Sequence, residues 1–250
     1  MKLAAIYNVW DGEEHLLGSI KCLTGHVDLF IIVFQRISNF GEVHDPLGNY
    51  MKQTISDCIP IQHDLHFVEF HPEIKPTSGT GFSNEAAKRN LGIREARGFG
   101  ATHFMFMDCD EYYFDFPRAK NIYIESGSAG SVCYILTYFR NPTLRHQGRD
   151  NYYVPFIHRL KYNTVTGVPN YPFYVDPTRR INESDVALLD VDMHHYSWVR
   201  KDIMRKVRNS SAKKHIERSN HIELYHTATE GTIVDGQPLI KVPDLIGWKF

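Results

Sequence analysis

This sequence has few cysteines, no long hydrophobic run and no marked excess of either charge. Its 4 cysteines lack CxxC spacing, which argues against a zinc knuckle or a dense disulfide framework and favours reduced thiols in a cytosol-like compartment. The opening MKLAAIYNVW is too short and too polar for a signal peptide, and the longest apolar run, Leu29–Phe34, is far shorter than the roughly 20 residues of a membrane-spanning helix. The net charge of −1 provides no strong field for nucleic acid. We therefore expect a cytoplasmic protein with no membrane span and no nucleic-acid partner.

Apolar residues are plentiful, by contrast. Hydrophobic residues make up 42% of the chain and aromatic residues 13%, which is enough for a substantial core. Over about the first 110 residues, apolar runs of strand type alternate with segments of helical periodicity. This alternation predicts an α/β fold with a mostly parallel central sheet flanked by helices, and the length of 250 residues suits a single domain.

The predicted elements can be placed along the chain. In the first part, the predicted strands are 2–7, 26–35, 65–70 and 102–108, and the predicted helices are 15–23, 50–58 and 84–101. Ser83 or Asn84 is expected to cap the third of these helices. Its expected inward-facing residues are Ala87, Leu91 and Ala96. Beyond it, we predict strands at 131–139, 151–160 and 186–199, an irregular segment at 167–185, a helix at 200–214 and a wrapping tail.

The stretch THFMFMDCDEYYFD carries three carboxylates in four residues, Asp108, Asp110 and Glu111, directly after an apolar strand. Carboxylates this close repel one another and resist burial, so they need either water or a cation. Ligands of an open parallel sheet bind beyond the carboxyl ends of its strands. Mg²⁺ and Mn²⁺ prefer such oxygen ligands and leave positions open for phosphate oxygens. The DxD motif therefore points to a divalent cation with a diphosphate, although a simple polar turn would also end a strand here.

Three stretches, in this order, resemble one enzyme family: MKLAAIYNVWDGEEHLLGSI, NEAAKRNLGIREARGFGATHFMFMDCDE and MHHYSWVRKDIMRKV. Together they look like a GT-A glycosyltransferase of the family 2 kind, over the first 115 residues and more locally over 193–207. The resemblance implies a single GT-A-like domain, with a nucleotide-sugar-binding half at 1–115 and an acceptor half with a C-terminal tail at 116–250. It also implies a metal-dependent, hexosyltransferase-type reaction. The donor would be a nucleotide-diphosphate sugar, with UDP-sugar favoured over GDP- or dTDP-sugar, and the acceptor a hydroxyl of a saccharide or glycoconjugate.

The resemblance also implies roles for individual residues. Asp108 and Asp110 would bind Mn²⁺ or Mg²⁺, with Asp110 the firmer ligand and His195 completing the metal shell. The residues implied for nucleotide-sugar binding are Asn8, Asp11, Glu13, Lys88, Arg89, Asp108 and Arg200. A metal and cationic side chains would stabilise the negative charge that develops on a diphosphate leaving group. Because His194 and His195 project to opposite faces of a strand, only one of them can be a ligand.

Several of these residues also have a purely structural interpretation. Asn8, Asp11 and Glu13 stand where they would cap the first helix. Lys88 and Arg89 have the pattern of exposed helix cations, which usually make no specific contact. For these residues the sequence leaves both interpretations open.

The sequence does not assign the catalytic base. A base must reach the acceptor hydroxyl, and the candidates are Glu183, Asp185 and, more distantly, Asp150, so inversion or retention of the anomeric configuration is open. A nucleotidyltransferase is an alternative function, but such enzymes usually have a glycine-rich, basic loop after the first strand, whereas this chain has NVWDGEEH with one glycine and three acids. A non-catalytic nucleotide-sugar-binding relative is the other alternative.

Overall fold

The computed structural model describes residues 1–60, 63–74, 80–210 and 220–247. The helices in these ranges are α1 Glu13–Leu23, α2 Asn49–Cys58, α3 Thr80–Gly98, α4 Phe116–Ser126, α5 Ile203–Asn209 and α6 His221–Thr227, with a 3₁₀ turn, η1, at Pro177–Arg179. The strands are β1 Leu3–Val9, β2 Leu29–Phe34, β3 Asp64–Glu69, β4 His103–Asp108, β5 Glu111–Tyr112, β6 Gly130–Phe139, β7 Leu144–His146, β8 Val154–Arg159, β9 Val186–Trp198, β10 Ile233–Val234 and β11 Gln237–Lys241.

All of these strands belong to one mixed sheet. β4, β1, β2 and β3 lie side by side in this order and run parallel. On the other side of β4 the sheet continues through β8 and then β6, and both of these pairings are antiparallel. β9 runs parallel to β6 and also pairs antiparallel with the short β5. The predicted α/β fold with a parallel, helix-covered core is confirmed, and the outer part of the sheet is largely antiparallel.

The parallel strands are buried because helices cover both faces of the sheet. Ala5 and Tyr7 of β1 pack in a cluster with residues of α1, α2 and α4, whereas Ala4 and Ile6 pack with residues of α3 on the opposite face. Two-sided burial explains why these strands are continuous apolar runs in the sequence rather than alternating ones. In the described ranges, no helix combines the length and the apolar character needed to cross a membrane.

The buried face of α3 is polar in the first half of the helix, which differs from the prediction. Lys88 and Arg89 are 4% and 3% exposed, whereas Ala87, expected to face inward, is exposed to solvent. Ala96 is buried as expected, and Leu91 is partly buried. A helix that buries two cations while exposing an alanine must supply those cations with partners inside the protein.

The start of α3 also differs from the prediction. The helix begins at Thr80, so neither Ser83 nor Asn84 is its cap. The Asn84 side chain instead clamps the backbone of Glu73: its Oδ1 accepts the N–H at 3.0 Å and its Nδ2 donates to the C=O at 2.9 Å. This pair of hydrogen bonds ties the segment after β3 to α3.

Some elements have no counterpart among the sequence predictions, namely α4, α6 and the short strands β5, β7, β10 and β11. The predicted wrapping tail contributes β11, which pairs antiparallel with β7 at the edge of the sheet. The segment 167–185 is irregular apart from η1, as predicted. The predicted helix 200–214 is seen as the shorter α5, and residues 211–214 lie outside the described ranges.

Candidate functional site

Asp108 ends β4 and lies between two arginines. Arg89 Nη2 donates a hydrogen bond to its Oδ1 at 3.2 Å, and Arg179 Nη2 donates to its Oδ2 at 2.5 Å. Arg179 also donates to Glu111 Oε1 at 2.5 Å, while Glu111 Oε2 accepts the backbone N–H of Asp108 at 3.0 Å. Burial alone would raise the pKa of Asp108, but the charges of Arg179 and Arg89 outweigh burial and lower it to about 2. Asp108 is therefore an ionised carboxylate held by cations from α3 and η1.

Asp110 has different partners. It is 3% exposed, and its Oδ2 accepts a hydrogen bond from Arg200 Nη2. Its Oδ1 lies 3.8 Å from His195 Nε2, which is too far for a hydrogen bond. Burial raises the pKa of Asp110, but the charge of Arg200 outweighs it and holds the pKa below its usual range. The carboxylate therefore presents one oxygen to an arginine and the other to an imidazole.

β9 presents its two histidines to different surroundings. His194 Nδ1 lies 2.8 Å from the hydroxyl of Tyr138. His195 faces Asp110, and its buried Nδ1 has no hydrogen-bond partner among the described residues. Burial lowers the pKa of His195, against the opposing charges of Asp110 and Asp150. Of the two histidines, only His195 therefore brings a neutral imidazole to the acidic turn.

These groups line a first cavity, of about 270 Å³, at the carboxyl edge of the parallel strands. Among the residues implied for nucleotide-sugar binding, those that line it are Asn8, Asp11, Lys88, Arg89, Asp108 and Arg200. Asp110 and His195 line the same cavity. The structure therefore gathers residues from β1, α3, β4 and β9 around one polar space.

Lys88 and Arg89 are tied to the end of β1. Lys88 Nζ donates to the Val9 carbonyl at 2.8 Å, and burial lowers the pKa of Lys88 to about 7. When the Asn8 amide is oriented with its oxygen toward Arg89, this oxygen accepts hydrogen bonds from Arg89 Nη1 and Nε at 3.1 and 3.2 Å. The interpretation of these two residues as exposed helix cations is wrong, because both side chains are buried beside the cavity.

The loop between β1 and α1 does not cap its helix with a side chain. α1 begins at Glu13 after Gly12, and no side-chain hydrogen bond caps it, so the capping interpretation is wrong. Asp11 and Glu13 instead accept hydrogen bonds from Arg205 of α5 at 3.1 and 3.2 Å. Asp11 lines the first cavity, but Glu13 does not, and it also contacts His44 at 3.1 Å. The structure therefore brings only one of these two acids to the cavity.

Asp11, Glu13 and Glu14 form the one group of three acidic, cysteine or histidine residues in the described ranges whose ligand atoms all lie within 4.8 Å of one another. Arg205 already pairs with two of these carboxylates, and the third accepts the backbone N–H of Lys201 at 3.1 Å. Within the described ranges, Asp108, Asp110 and His195 do not form such a group, and Asp108 pairs with Arg89 and Arg179.

A second cavity, of about 790 Å³, adjoins the first, and Asp150 lines it. The side chain of Asp150 is 10% exposed. Its Oδ2 accepts a hydrogen bond from Thr137 Oγ1 at 2.8 Å, and its Oδ1 lies 3.4 Å from His146 Nδ1. The residues that line both cavities are His195, Ser197, Lys206 and Ser210.

The structure does not bring the other two candidate bases to either cavity. Glu183 pairs with Lys161 at 2.5 Å. Asp185 Oδ2 accepts the backbone N–H of Ala129 at 2.9 Å. Neither carboxylate lines the first or the second cavity, so each serves its local loop.

Two cations that the sequence analysis does not identify belong to the site. Arg179 reaches it from the irregular segment before β9, and no periodic pattern marks that position. Lys206 lies on α5 and lines both cavities. It falls within the stretch MHHYSWVRKDIMRKV, so the family resemblance gave a signal for this region but not for the residue.

No protein-family model and no curated protein sequence matches the chain. Among solved structures, it is similar to TarS of S. aureus, with 12% identity, a TM-score of 0.45 and coverage of 92% of this chain and 44% of that one. It is also similar to TarS 1–349 in complex with UDP (11%, TM-score 0.45, 92% and 76% coverage) and in complex with UDP-GlcNAc (14%, TM-score 0.42, 81% and 59% coverage). The chain thus spans less than half the length of the first of these proteins.

Proposed function

We propose that this chain is a metal-dependent glycosyltransferase of the hexosyltransferase type, which moves a sugar from a nucleotide-diphosphate sugar to an acceptor hydroxyl. The observation that carries the proposal is the meeting of Asp110 and His195 in a cavity at the carboxyl edge of parallel strands, with cationic side chains around them. This is the edge of an open α/β sheet at which ligands bind.

The cations of the first cavity suit a diphosphate. The cationic side chains that line this cavity come from helices α3 and α5 and from the segment after β9, namely Lys88, Arg89, Lys206 and Arg200. Guanidinium and ammonium groups stabilise the charge that develops on the departing diphosphate, most strongly where water is partly excluded. Asn8 and Asp11 line the same cavity and offer polar groups to a base or a ribose.

The residues fit a divalent cation. Two ligands at about 2.1 Å from one ion lie at most about 4.2 Å apart, so the 3.8 Å between Asp110 Oδ1 and His195 Nε2 can be bridged. Carboxylate and neutral imidazole are a suitable ligand pair for Mn²⁺. Asp110 and His195 would hold the ion, and Asp108 would join them on turning from its arginines. When bound, the ion would neutralise charge on the diphosphate.

The proposal is tested by thermal unfolding of the protein with UDP-, GDP-, dTDP- and CMP-sugars, each with Mn²⁺ and with EDTA. A ligand that binds only the folded state raises the melting temperature by mass action. We expect one donor to raise it in the presence of Mn²⁺ and to be hydrolysed slowly to its nucleoside diphosphate. The absence of any metal-dependent shift would contradict the proposal. Release of pyrophosphate from a nucleoside triphosphate would support a nucleotidyltransferase instead.

A further inference from the structure

The two cavities meet at residues that touch the reaction centre of the proposed function. His195, a proposed metal ligand, lines both, as do Ser197 and Lys206. A sugar whose diphosphate lies in the first cavity would therefore have its anomeric carbon near the opening into the second. The second cavity is the larger of the two, at about 790 Å³.

Asp150 is fixed in the wall of this second cavity. Its backbone N–H donates to the Ile135 carbonyl of β6 at 3.0 Å, which anchors the loop after β7 to the sheet. Its carboxylate accepts from Thr137, also on β6, and approaches His146 at the end of β7. Each carboxylate oxygen accepts two hydrogen bonds, so these contacts leave lone pairs for an acceptor hydroxyl.

Among the described residues, one other carboxylate lines the second cavity, and its setting differs. Asp235 is half exposed and pairs with His221 at 3.0 Å. It follows β10, near the edge of the sheet. Asp150, with its side chain 10% exposed, is the carboxylate held rigidly at this wall. The control for Asp150 must lie outside both cavities, and Asp185, whose Oδ2 accepts the backbone N–H of Ala129, meets this condition.

The remaining lining of the second cavity suits a neutral, hydroxyl-rich molecule. Tyr152, Tyr174 and Trp198 give it aromatic faces, and Asn151 and Gln237 add amides that donate and accept hydrogen bonds. Tyr174 is 67% exposed, so its ring is largely uncovered. The charge of Arg149 is already paired with Asp190 and Asp192, each at 2.7 Å. Aromatic ring faces beside many hydrogen-bonding side chains suit a molecule that has both a ring and hydroxyl groups.

We infer that the second cavity binds a saccharide acceptor and that Asp150 is the catalytic base of transfer; the inference rests on the proposed function. Asp150 takes the proton of the acceptor hydroxyl while the hydroxyl oxygen bonds to the anomeric carbon. The bond between that carbon and the diphosphate oxygen breaks, and the nucleoside diphosphate leaves with the electron pair. Because the hydroxyl oxygen displaces the diphosphate in a single step and enters opposite the bond that breaks, we expect the anomeric configuration to be inverted.

The acceptor site is tested by saturation-transfer NMR with the methyl glycosides of glucose, galactose, mannose and N-acetylglucosamine, in the presence of Mn²⁺ and the nucleoside diphosphate that stabilises the protein. We expect at least one glycoside to bind the wild type. Tyr174→Ala should weaken this binding roughly fivefold, as the loss of one aromatic contact. Tyr162→Ala, which alters a 93% exposed tyrosine outside both cavities, should not change it. Binding of no glycoside, or equal binding by both variants, would overturn the acceptor assignment.

The base is tested by transfer from the donor to the glycoside that binds. Asp150→Asn should reduce the rate by at least about a hundredfold, whereas Asp185→Asn, which alters a carboxylate outside both cavities, should leave it nearly unchanged. The thermal shift given by donor and Mn²⁺ should be the same in both variants, and the product should have the inverted configuration by NMR. Equal rates for the two variants, or a retained configuration, would overturn the role of Asp150. Absence of the donor shift in the wild type would instead be a failure of the proposed function.

Discussion

Arg179 Nη2 lies 2.5 Å from Oδ2 of Asp108, although 71 residues separate them in the chain. The same guanidinium reaches Glu111, so one cation from a 3₁₀ turn is shared by two carboxylates of the acidic stretch. Arg179 is 4% exposed, and Glu111 is 2% exposed. This contact fixes the irregular segment before β9 against the end of β4.

Replacing Arg179 should destabilise the fold. Arg179→Met leaves two carboxylates without their shared cation, and removing one partner of a buried ion pair costs about 3 kcal/mol or more. We expect the free energy of unfolding, measured in urea, to fall by that amount. Arg180→Met is the matched control, because Arg180 is only partly buried and its side chain donates one long hydrogen bond, to Pro169 O at 3.4 Å. The double variant Arg179→Met/Glu111→Gln should recover part of the loss. Equal unfolding free energies for Arg179→Met and Arg180→Met would contradict the prediction.

Replacing His195 should weaken metal binding more than it weakens folding. Even indirect contacts to a metal site are worth about 10- to 100-fold in affinity, so His195→Gln should reduce Mn²⁺ affinity at least tenfold. The affinity is measured by calorimetry with the nucleoside diphosphate present. Asp110→Asn is a less clean test, because it also leaves Arg200 buried without its carboxylate.

The neighbouring histidine is the control for that experiment. His194→Gln removes the contact with the Tyr138 hydroxyl but does not alter a group that faces Asp110. We expect it to lower the melting temperature while leaving Mn²⁺ affinity unchanged. If both variants lose metal affinity equally, or neither does, His195 is not a ligand.

The parallel half of the fold follows directly from the sequence. Strands that are buried on both faces are continuous apolar runs, so β1, β2 and β4 stand out. The acidic stretch is equally visible, because carboxylates directly after such a run contradict the preference of charged groups for water. The position of the DxD pair at the end of a buried strand could therefore be predicted from local pattern, whereas its role as a metal site stays a prediction.

The surroundings of the DxD pair could not be predicted in the same way. Helical periodicity predicts that Ala87 faces inward and Lys88 outward, but the reverse holds. The buried Lys88 ammonium donates to the Val9 carbonyl, and the buried Arg89 guanidinium donates to Asp108. Arg179 reaches the site only through the folding of an irregular loop. The distant partner of a buried polar side chain cannot be predicted from helical periodicity or from helix propensity, because both depend only on residues that are close in the chain.

Gly12 is expected to be required for the position of Arg200. A β-carbon at Gly12 would lie 1.7 Å from Arg200 Nη1, and the residue has a φ of +83°. Gly12→Ala should therefore displace the guanidinium from Asp110 and reduce kcat/KM for the donor roughly tenfold. Gly25→Ala has the same backbone strain, with a φ of +84°, but open space around its β-carbon. It should lose about 1 kcal/mol of stability without losing activity. Equal kcat/KM values for the two variants would contradict the prediction.

Acid should destabilise the protein through His158. This residue is 1% exposed, its Nε2 lies 2.9 Å from the Tyr171 hydroxyl, and burial lowers its pKa to about 3, from about 6.5 in an unfolded chain. Above pH 6.5 neither state is protonated, so the contribution of His158 to stability is fully present. Below pH 6.5 only the unfolded state binds the proton, and stability falls until about pH 3. Between pH 7 and pH 5 the loss should be about 2 kcal/mol.

This pH dependence is checked with urea unfolding of the wild type, His158→Phe and His71→Phe at pH 7, 6 and 5. His158→Phe loses the contact with Tyr171 and should be less stable at pH 7, but its stability should fall less steeply with acid, because it has no buried imidazole to protonate on unfolding. His71 is exposed, so His71→Phe should keep the slope of the wild type. If the unfolding free energy of His158→Phe falls with acid as steeply as that of the other two proteins, the acid sensitivity arises from other groups.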